Sequence, residues 1–210
     1  MKRREFALCM GMAPMIAAPA RAAIEPSEGK HYTRLSPPVP VAVAGKVEVI
    51  EFFGYWCPHC NTLEPLLAPW AKKLPADVNF RRIPVAWQAM QVAYQNLYFA
   101  LEAMGLPAEI HGKVFQAVHG QGLRLDNDAG LSAFVAANGL DKAKLVDVMK
   151  GFTVSSKVRV ANQAWTAYRF DGVPKLAVNG RYATSPEQAG GNAQVLELID
   201  ALIVKARAGG

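Results

Sequence analysis

The pattern of apolar residues predicts a compact α/β unit near the start of the chain. Val47–Phe53 is a short run rich in β-branched and aromatic residues, which predicts a buried strand, and residues 78–85 predict a second strand. Between them, residues 57–73 predict a helix that is bent by Pro65. Strand, helix and strand in about 40 residues predict a βαβ unit with parallel strands.

Helical patterns dominate the middle of the chain. The predicted helices cover residues 87–104, 108–118, 129–137, 142–149 and 153–168. Residues 176–178 then predict a strand entering a hairpin turn at Asn179-Gly180, and residues 193–206 predict a closing amphipathic helix. We therefore predict an α/β domain, residues 23–86 and 160–210, split by an all-helical insertion at residues 87–159. This architecture by itself determines no chemistry.

The first 22 residues have the pattern of a cleaved export signal. Three basic residues at positions 2–4 precede an uncharged apolar stretch at residues 6–19, and Ala20-Arg21-Ala22 has the small-residue spacing of a cleavage site. Arg3-Arg4-Glu5-Phe6 also resembles the twin-arginine export motif. The general secretory route and the twin-arginine route both fit, and either predicts a periplasmic location.

Removing this segment changes the composition that matters for function. Cys9 leaves with it, so two cysteines remain, and the 19 basic and 16 acidic residues that are left give a net charge of +3 instead of +6. No cluster of lysine and arginine with interleaved aromatics indicates a nucleic-acid partner. No run reaches the ~18 apolar residues that a membrane-spanning helix needs, so we expect a soluble domain.

The motif Cys57-Pro58-His59-Cys60 lies where a strand ends and a helix begins. Cysteines at positions i and i+3 of a helix start face the same side, so a disulfide can close between them. Pro58 suits the first helical position, where no N–H is needed. The helix dipole and His59 both favour a thiolate at Cys57. Because a low thiol pKa stabilises the reduced pair, the disulfide should be a good oxidant, with Cys57 attacked and Cys60 resolving.

Two other interpretations of the pair remain open. A structural disulfide is common in exported proteins, but one that closes so short a loop constrains the unfolded chain little. A metal site would need more ligands than two cysteines and His59 supply, so we predict no metal and no bound cofactor. His31, His111 and His119 lack partners at ligand spacing and are interpreted as surface or packing residues.

Two separate segments resemble DsbA-type thiol:disulfide oxidoreductases. The first is EFFGYWCPHC, residues 51–60, and the second is Gly172-Val173-Pro174 followed by VNGRY, residues 178–182. The order of the predicted elements also matches the family's thioredoxin fold with a helical insertion. DsbA enzymes are a well-known example in which a low cysteine pKa accompanies a strongly oxidising disulfide, which is the relation expected here for Cys57.

The resemblance implies roles for residues outside the motif. Pro174 would be a cis-proline packed against the cysteine pair, and Val173 would offer its backbone to an extended substrate segment. Glu51 would be a buried acid that takes part in proton transfer near Cys60, although an acid on a strand edge is the alternative. The family usually pairs this acid with a lysine, whereas Arg81-Arg82 stands in that region here.

The predicted function is that of a periplasmic thiol oxidase acting on unfolded or reduced exported proteins. By family analogy, a DsbB-type membrane partner linked to quinones would re-oxidise the pair, and the chain would act as a monomer. Tyr55 and Trp56 would either line the substrate surface or pack in the interior. A disulfide reductase or isomerase on the same fold and a non-catalytic peptide-binding chaperone module are the alternatives.

Overall fold

The computed structural model describes residues 25–209, so the predicted export signal and Cys9 lie outside the described residues. The described part contains one mixed sheet with the strand order β1-β5-β4-β2-β3. Its strands are β1 Thr33–Arg34, β2 Val47–Phe53, β3 Val78–Pro84, β4 Lys175–Val178 and β5 Tyr182–Thr184. The pair β2–β3 is parallel, as predicted, and the other neighbouring pairs are antiparallel.

The helices lie within a few residues of their predicted bounds. They are α1 Pro58–Ala71, α2 Ala89–Ala103, α3 Glu109–Phe115, α4 Asp128–Ala137, α5 Lys142–Lys150, α6 Phe152–Tyr168, α7 Pro186–Ala189 and α8 Asn192–Ala208. A π-helical turn, Gln116–Gly120, continues α3. The short elements β1 and α7 were not predicted. No helix within residues 25–209 has the length and apolar content needed to cross a membrane.

Both faces of the central strands are buried, so every residue of β2, including Glu48 and Glu51, lies in the interior. On one face, Val49 of β2 and Val178 of β4 belong to a core shared with α1 and α8. On the other face, the ring of Phe52 packs against the tilted rings of Tyr168 and Trp165 of α6, with ring centroids 4.9 and 5.8 Å away. The sheet is therefore the middle layer between two helical layers.

The helical block lies between β3 and β4 in the chain, and the fold is the predicted thioredoxin type with a helical insertion. A continuous core joins the sheet to this block, since Phe53 of β2 and Phe115 of α3 belong to the same cluster. The predicted domain boundary between residues 159 and 160 falls inside α6. The division into two domains stays a prediction.

Candidate active site

Cys57 is the N-cap of α1, directly after the loop that leaves β2. Its backbone is extended (φ −88°, ψ 117°), and its Sγ accepts the backbone N–H of Cys60 at 3.4 Å. Pro58 occupies the first turn, as predicted. A Cβ on Gly54 would lie 2.5 Å from the ring of Trp56, so the loop needs a glycine for this close approach. The sequence thus positions Cys57 at the positive end of the helix dipole.

Both cysteines are free thiols and both are buried, with Cys57 3% and Cys60 0% exposed. The pKa of Cys57 is lowered from 9.0 to about 6, chiefly because the Cys60 thiol donates a hydrogen bond to it. Burial opposes this effect, while the backbone N–H groups of Cys60 and His59 and the charge of His59 support it. Burial and the neighbouring Cys57 raise the pKa of Cys60. The two thiols are therefore strongly inequivalent.

The second signature segment meets the first at Cys57. The Cys57 thiol donates to the carbonyl oxygen of Val173 at 3.4 Å, across 116 positions of sequence. The Val173–Pro174 peptide bond is cis, as the resemblance implies. A groove of about 580 Å³ runs beside it and is lined by Pro174, His59, Glu187 and Asn192, among others. A peptide in this groove would lie next to the Cys57 sulfur.

Glu51 lies on β2 and is fully buried. Its partner in the parallel register is Arg82 of β3, whose Nε donates to Glu51 Oε2 at 3.0 Å. The same guanidinium donates from Nη2 to both carboxylate oxygens of Glu64 on α1, at 3.1 and 2.9 Å. Arg81 instead donates to Glu48 at 2.9 Å. Arg82, not Arg81, therefore stands where the family usually has a lysine.

One guanidinium between two carboxylates makes the charge state of this cluster sensitive to pH. Burial is the main cause that raises the pKa of Glu51 from 4.5 to about 7, Arg82 lowers it, and Glu64 raises it. Burial also acts against ionisation of Glu64, but His111 and Arg82 bring its pKa below the ordinary value. Glu51 is thus the carboxyl that exchanges a proton near neutral pH.

Tyr55 is 1% exposed and lies in the interior instead of on a substrate surface. Its hydroxyl lies 2.7 Å from Nδ1 of His111, and its carbonyl accepts a hydrogen bond from Nε2 of His119 at 2.8 Å. Of the two alternatives for Tyr55, packing in the interior fits this burial, because the aromatic core around Phe53 and Phe115 encloses its ring.

His111 and His119 are the site residues that sequence reasoning missed. Both were interpreted as surface or packing residues, yet α3 and its π-helical extension bring them onto Tyr55 from 56 and 64 positions away. No local spacing signals such a contact. His31 accepts a hydrogen bond from the backbone of Ser27, which fits its predicted place outside the site.

Trp56 is half-buried and donates from Nε1 to the carbonyl of Val85 at 3.3 Å. Its ring packs 4.8 Å from Trp87, which is 48% exposed, and Trp87 in turn lies 5.8 Å from Trp165. Next to Cys57 there is therefore an aromatic surface to which Trp56, unlike Tyr55, contributes.

Three buried ligand atoms, one each from Glu51, Glu64 and His111, lie within 4.8 Å of one another. Such a set would suit a divalent cation by residue type. Arg82 already donates to both carboxylates, so a metal ion would have to displace or oppose a buried guanidinium. The guanidinium of Arg82 already supplies the positive charge at the centre of this cluster.

Comparisons with known proteins agree with this geometry. Residues 67–202 match the model of the family described as DSBA-like thioredoxin domain. A thiol:disulfide interchange protein DsbA from Pseudomonas aeruginosa is 39% identical over 180 residues, which are 86% of this chain and 85% of that protein. One from Bordetella parapertussis is 38% identical over 209 residues, which are 99% of this chain and 100% of that protein.

Solved structures show the same likeness. The crystal structure of Pseudomonas aeruginosa DsbA matches with a TM-score of 0.82 at 39% identity and covers 86% of this chain and 94% of that chain. The oxidoreductase DsbA from Xylella fastidiosa matches with a TM-score of 0.79 at 28% identity and covers 87% and 98%. The chain therefore belongs to the DsbA family of thiol:disulfide oxidoreductases.

Proposed function

We propose that this chain is an exported oxidase that transfers the Cys57–Cys60 disulfide to reduced proteins in the periplasm. The observation that carries the proposal is the low pKa of Cys57, about 6, beside a Cys60 whose pKa is raised. At neutral pH this favours the reduced protein with Cys57 as thiolate. The disulfide is therefore easily reduced, which means that it readily oxidises other thiols.

The reaction moves two electrons from substrate to enzyme. A substrate thiolate attacks Cys57 Sγ, the bond to Cys60 breaks, and its electron pair stays on Cys60, which takes up a proton. A second substrate thiolate then attacks the substrate sulfur of the mixed disulfide and releases Cys57 as thiolate. The substrate leaves with a new disulfide, and no bound cofactor takes part.

The surrounding residues divide the remaining tasks. Pro58 opens the helix and His59 adds to the stabilisation of the thiolate. Val173 offers its backbone to an extended substrate segment, and Pro174 fixes that loop against Cys57. Trp56 contributes apolar surface beside the sulfur.

Glu51 serves as the proton donor and acceptor for Cys60. Its charge is close enough to raise the pKa of that thiol, and its own pKa of about 7 suits proton exchange at neutral pH. Arg82 and Glu64 hold it in place.

Continuous oxidation needs an acceptor for the two electrons. We propose a DsbB-type membrane protein that passes them to quinone and that docks where substrates do. The predicted signal at residues 1–22 would deliver the chain to the periplasm, where it would act as a monomer on unfolded or reduced exported proteins.

The test is oxidative refolding of a reduced, disulfide-containing protein. The oxidised chain should transfer one disulfide per molecule, and Cys57→Ser should abolish the transfer. Cys60→Ser should abolish it as well, because a single cysteine cannot carry the disulfide that is transferred. Mixed instead with an already oxidised protein, the Cys57 thiolate of Cys60→Ser should attack a substrate disulfide, release one substrate thiolate and form a mixed disulfide that persists, because no Cys60 thiol is left to displace the substrate. An equilibrium with glutathione that shows a strongly reducing pair would favour the reductase alternative, and full activity of Cys57→Ser would favour a chaperone module.

A further inference from the structure

His111 occupies a position that its distance from the cysteine motif does not suggest. It is 5% exposed, and its Nδ1 is engaged by the hydroxyl of Tyr55. Its Nε2 lies 3.6 Å from Glu64 Oε2, which is beyond hydrogen-bond distance, and has no hydrogen-bond partner among the described residues. Nε2 therefore meets Glu64 only at the outer edge of ion-pair distance, and a buried ring nitrogen held this weakly calls for a functional explanation.

Titratable groups face His111 from every element packed around it. They are Glu51 of β2, Tyr55 of the loop before α1, Glu64 of α1, Arg82 of β3 and Tyr98 of α2. The ring centroids of Tyr98 and His111 are 5.8 Å apart. Burial, and then the charge of Arg82, lower the pKa of His111, whereas Glu64 raises it.

Glu51 has a matching unused atom. Its Oε1 is buried and has no hydrogen-bond partner within residues 25–209, while its Oε2 is held by Arg82. Ligand atoms of Glu51, Glu64 and His111 lie within 4.8 Å of one another, a span that one water molecule can bridge. Glu51 and His111, each with one buried atom that makes no hydrogen bond, thus belong to one small polar cluster with Glu64.

This cluster reaches solvent through a groove between α1 and α3. The groove has a volume of about 500 Å³, and both Glu64 and Arg82 line it. Lys72 and Glu109, which also line it, form an exposed ion pair at 2.8 Å between the end of α1 and the start of α3. Protons can therefore enter from the side of the helix instead of through the substrate face above Cys57.

The proposed reaction needs such an entry. When the Cys57–Cys60 bond breaks, Cys60 Sγ keeps the electron pair and takes one proton from the Glu51 carboxyl. Above pH 7 Glu51 is mostly ionised in the oxidised protein, so a proton must first reach it from water before it can be passed to Cys60. Substrate covers Cys57 at that stage, and Cys60 is fully buried.

We propose that His111 is a positioning residue that, together with Glu64, relays this proton between the groove of α1 and α3 and Glu51. Tyr55 orients the ring by its bond to Nδ1, which leaves Nε2 directed towards Glu64. The relay rests on the proposed function of the cysteine pair and adds the path by which its proton is supplied.

The experiment follows reduction of the oxidised protein by dithiothreitol in a stopped-flow instrument at pH 5 to 8, in water and in deuterium oxide. At pH 5 to 6 Glu51 already holds its proton, so His111→Gln should react like the wild type. At pH 8 the proton must come through the relay, so the variant should be roughly tenfold slower, below the 10²-fold and larger effects of direct acid–base groups. The solvent isotope effect should increase in the same pH range.

His31→Gln is the matched control, because it removes a histidine outside the site and should leave the rate unchanged. Equal rates of His111→Gln and wild type at every pH would overturn the proposal, and so would an equal slowing at every pH, which a purely structural role produces. If His111→Gln does not fold, Glu64→Gln decides by the same criterion. A wild type that cannot oxidise a reduced protein would instead refute the proposed function.

Discussion

Replacing Cys57 by serine should change how the stability of the reduced protein depends on pH. The pKa of Cys57 is about 6 in the folded protein, against an ordinary value of 9.0. Since the folded value is the lower one, the thiolate contributes stability that is complete above pH 9 and is lost as the pH falls through 6. Serine does not titrate in this range.

The size of the effect follows from these two values. A pKa difference of three corresponds to about 4 kcal/mol, all of which is available only above pH 9. At pH 7 about 1 kcal/mol is realised, at pH 8 about 3 kcal/mol, and at pH 5 almost none. Glu51 acts in the opposite direction, because its pKa is raised to about 7. Burial is the main cause of this shift and is common to both proteins, whereas the smaller part that is due to the Cys57 thiolate is absent from the variant.

The measurement is urea unfolding of reduced wild type and reduced Cys57→Ser at pH 5, 6, 7 and 8. Between pH 5 and 7, the free energy of unfolding of the wild type should increase by about 1 kcal/mol relative to that of the variant. The oxidised protein is the control, because its Cys57 cannot ionise and its pH dependence should parallel that of the variant. A difference that stays flat from pH 5 to 8 would show that Cys57 has an ordinary pKa and would remove the physical basis of the oxidase proposal.

Three further predictions concern the groups around Cys57. Cys60→Ala should raise the Cys57 pKa towards 9.0, since the Cys60 thiol is the main cause of its low value; ultraviolet titration of the thiolate measures this, and an unchanged pKa contradicts it. Arg82→Met should lower the free energy of unfolding in urea by about 3–5 kcal/mol, because Glu51 and Glu64 lose the cation that they share. Arg82→Lys keeps a positive charge and should lower it less. Equal decreases for the two variants would mean that the charge of Arg82 does not matter for stability. Glu51→Gln should become more stable relative to wild type as the pH rises from 5 to 8. The raised pKa of Glu51 means that its contribution to folding stability is complete below pH 4.5 and is lost as the pH rises through 7. Thermal unfolding of the oxidised forms tests this, and a constant difference between variant and wild type contradicts it.

Most of the fold could be predicted because its main elements are long enough to show a period. β2 has its predicted bounds, and α6 begins one residue before its predicted start. β1 and α7 have two and four residues, which is too short for a hydrophobic period. Instead, α7 is delimited by its ends, since the Ser185 side chain caps it before Pro186 and Gly190 ends it with φ 90°.

The site could be predicted only as far as local motifs reach. The placement of Cys57 at a helix start follows from a strand that ends four residues earlier and from Pro58. The bonds of His111 and His119 to Tyr55 depend on how α3 packs against the active-site loop, and no local pattern encodes that. Neither could the sequence decide which arginine meets Glu51, because that depends on strand register.

The adjacent arginines of β3 also have a consequence for assembly of the sheet. Arg81 and Arg82 point to opposite faces, where they meet Glu48 and Glu51 of β2. If β3 slipped by one residue in either direction, one arginine would take the position of the other, and one of the two buried glutamates, Glu48 or Glu51, would lose its guanidinium. Misaligned sheets are therefore penalised by the same ion pairs that hold the acid beneath the cysteines. In the slip that brings Ile83 opposite Glu51, that acid would lose its cation, so the correct strand register and the electrostatics beneath the cysteines depend on the same pair.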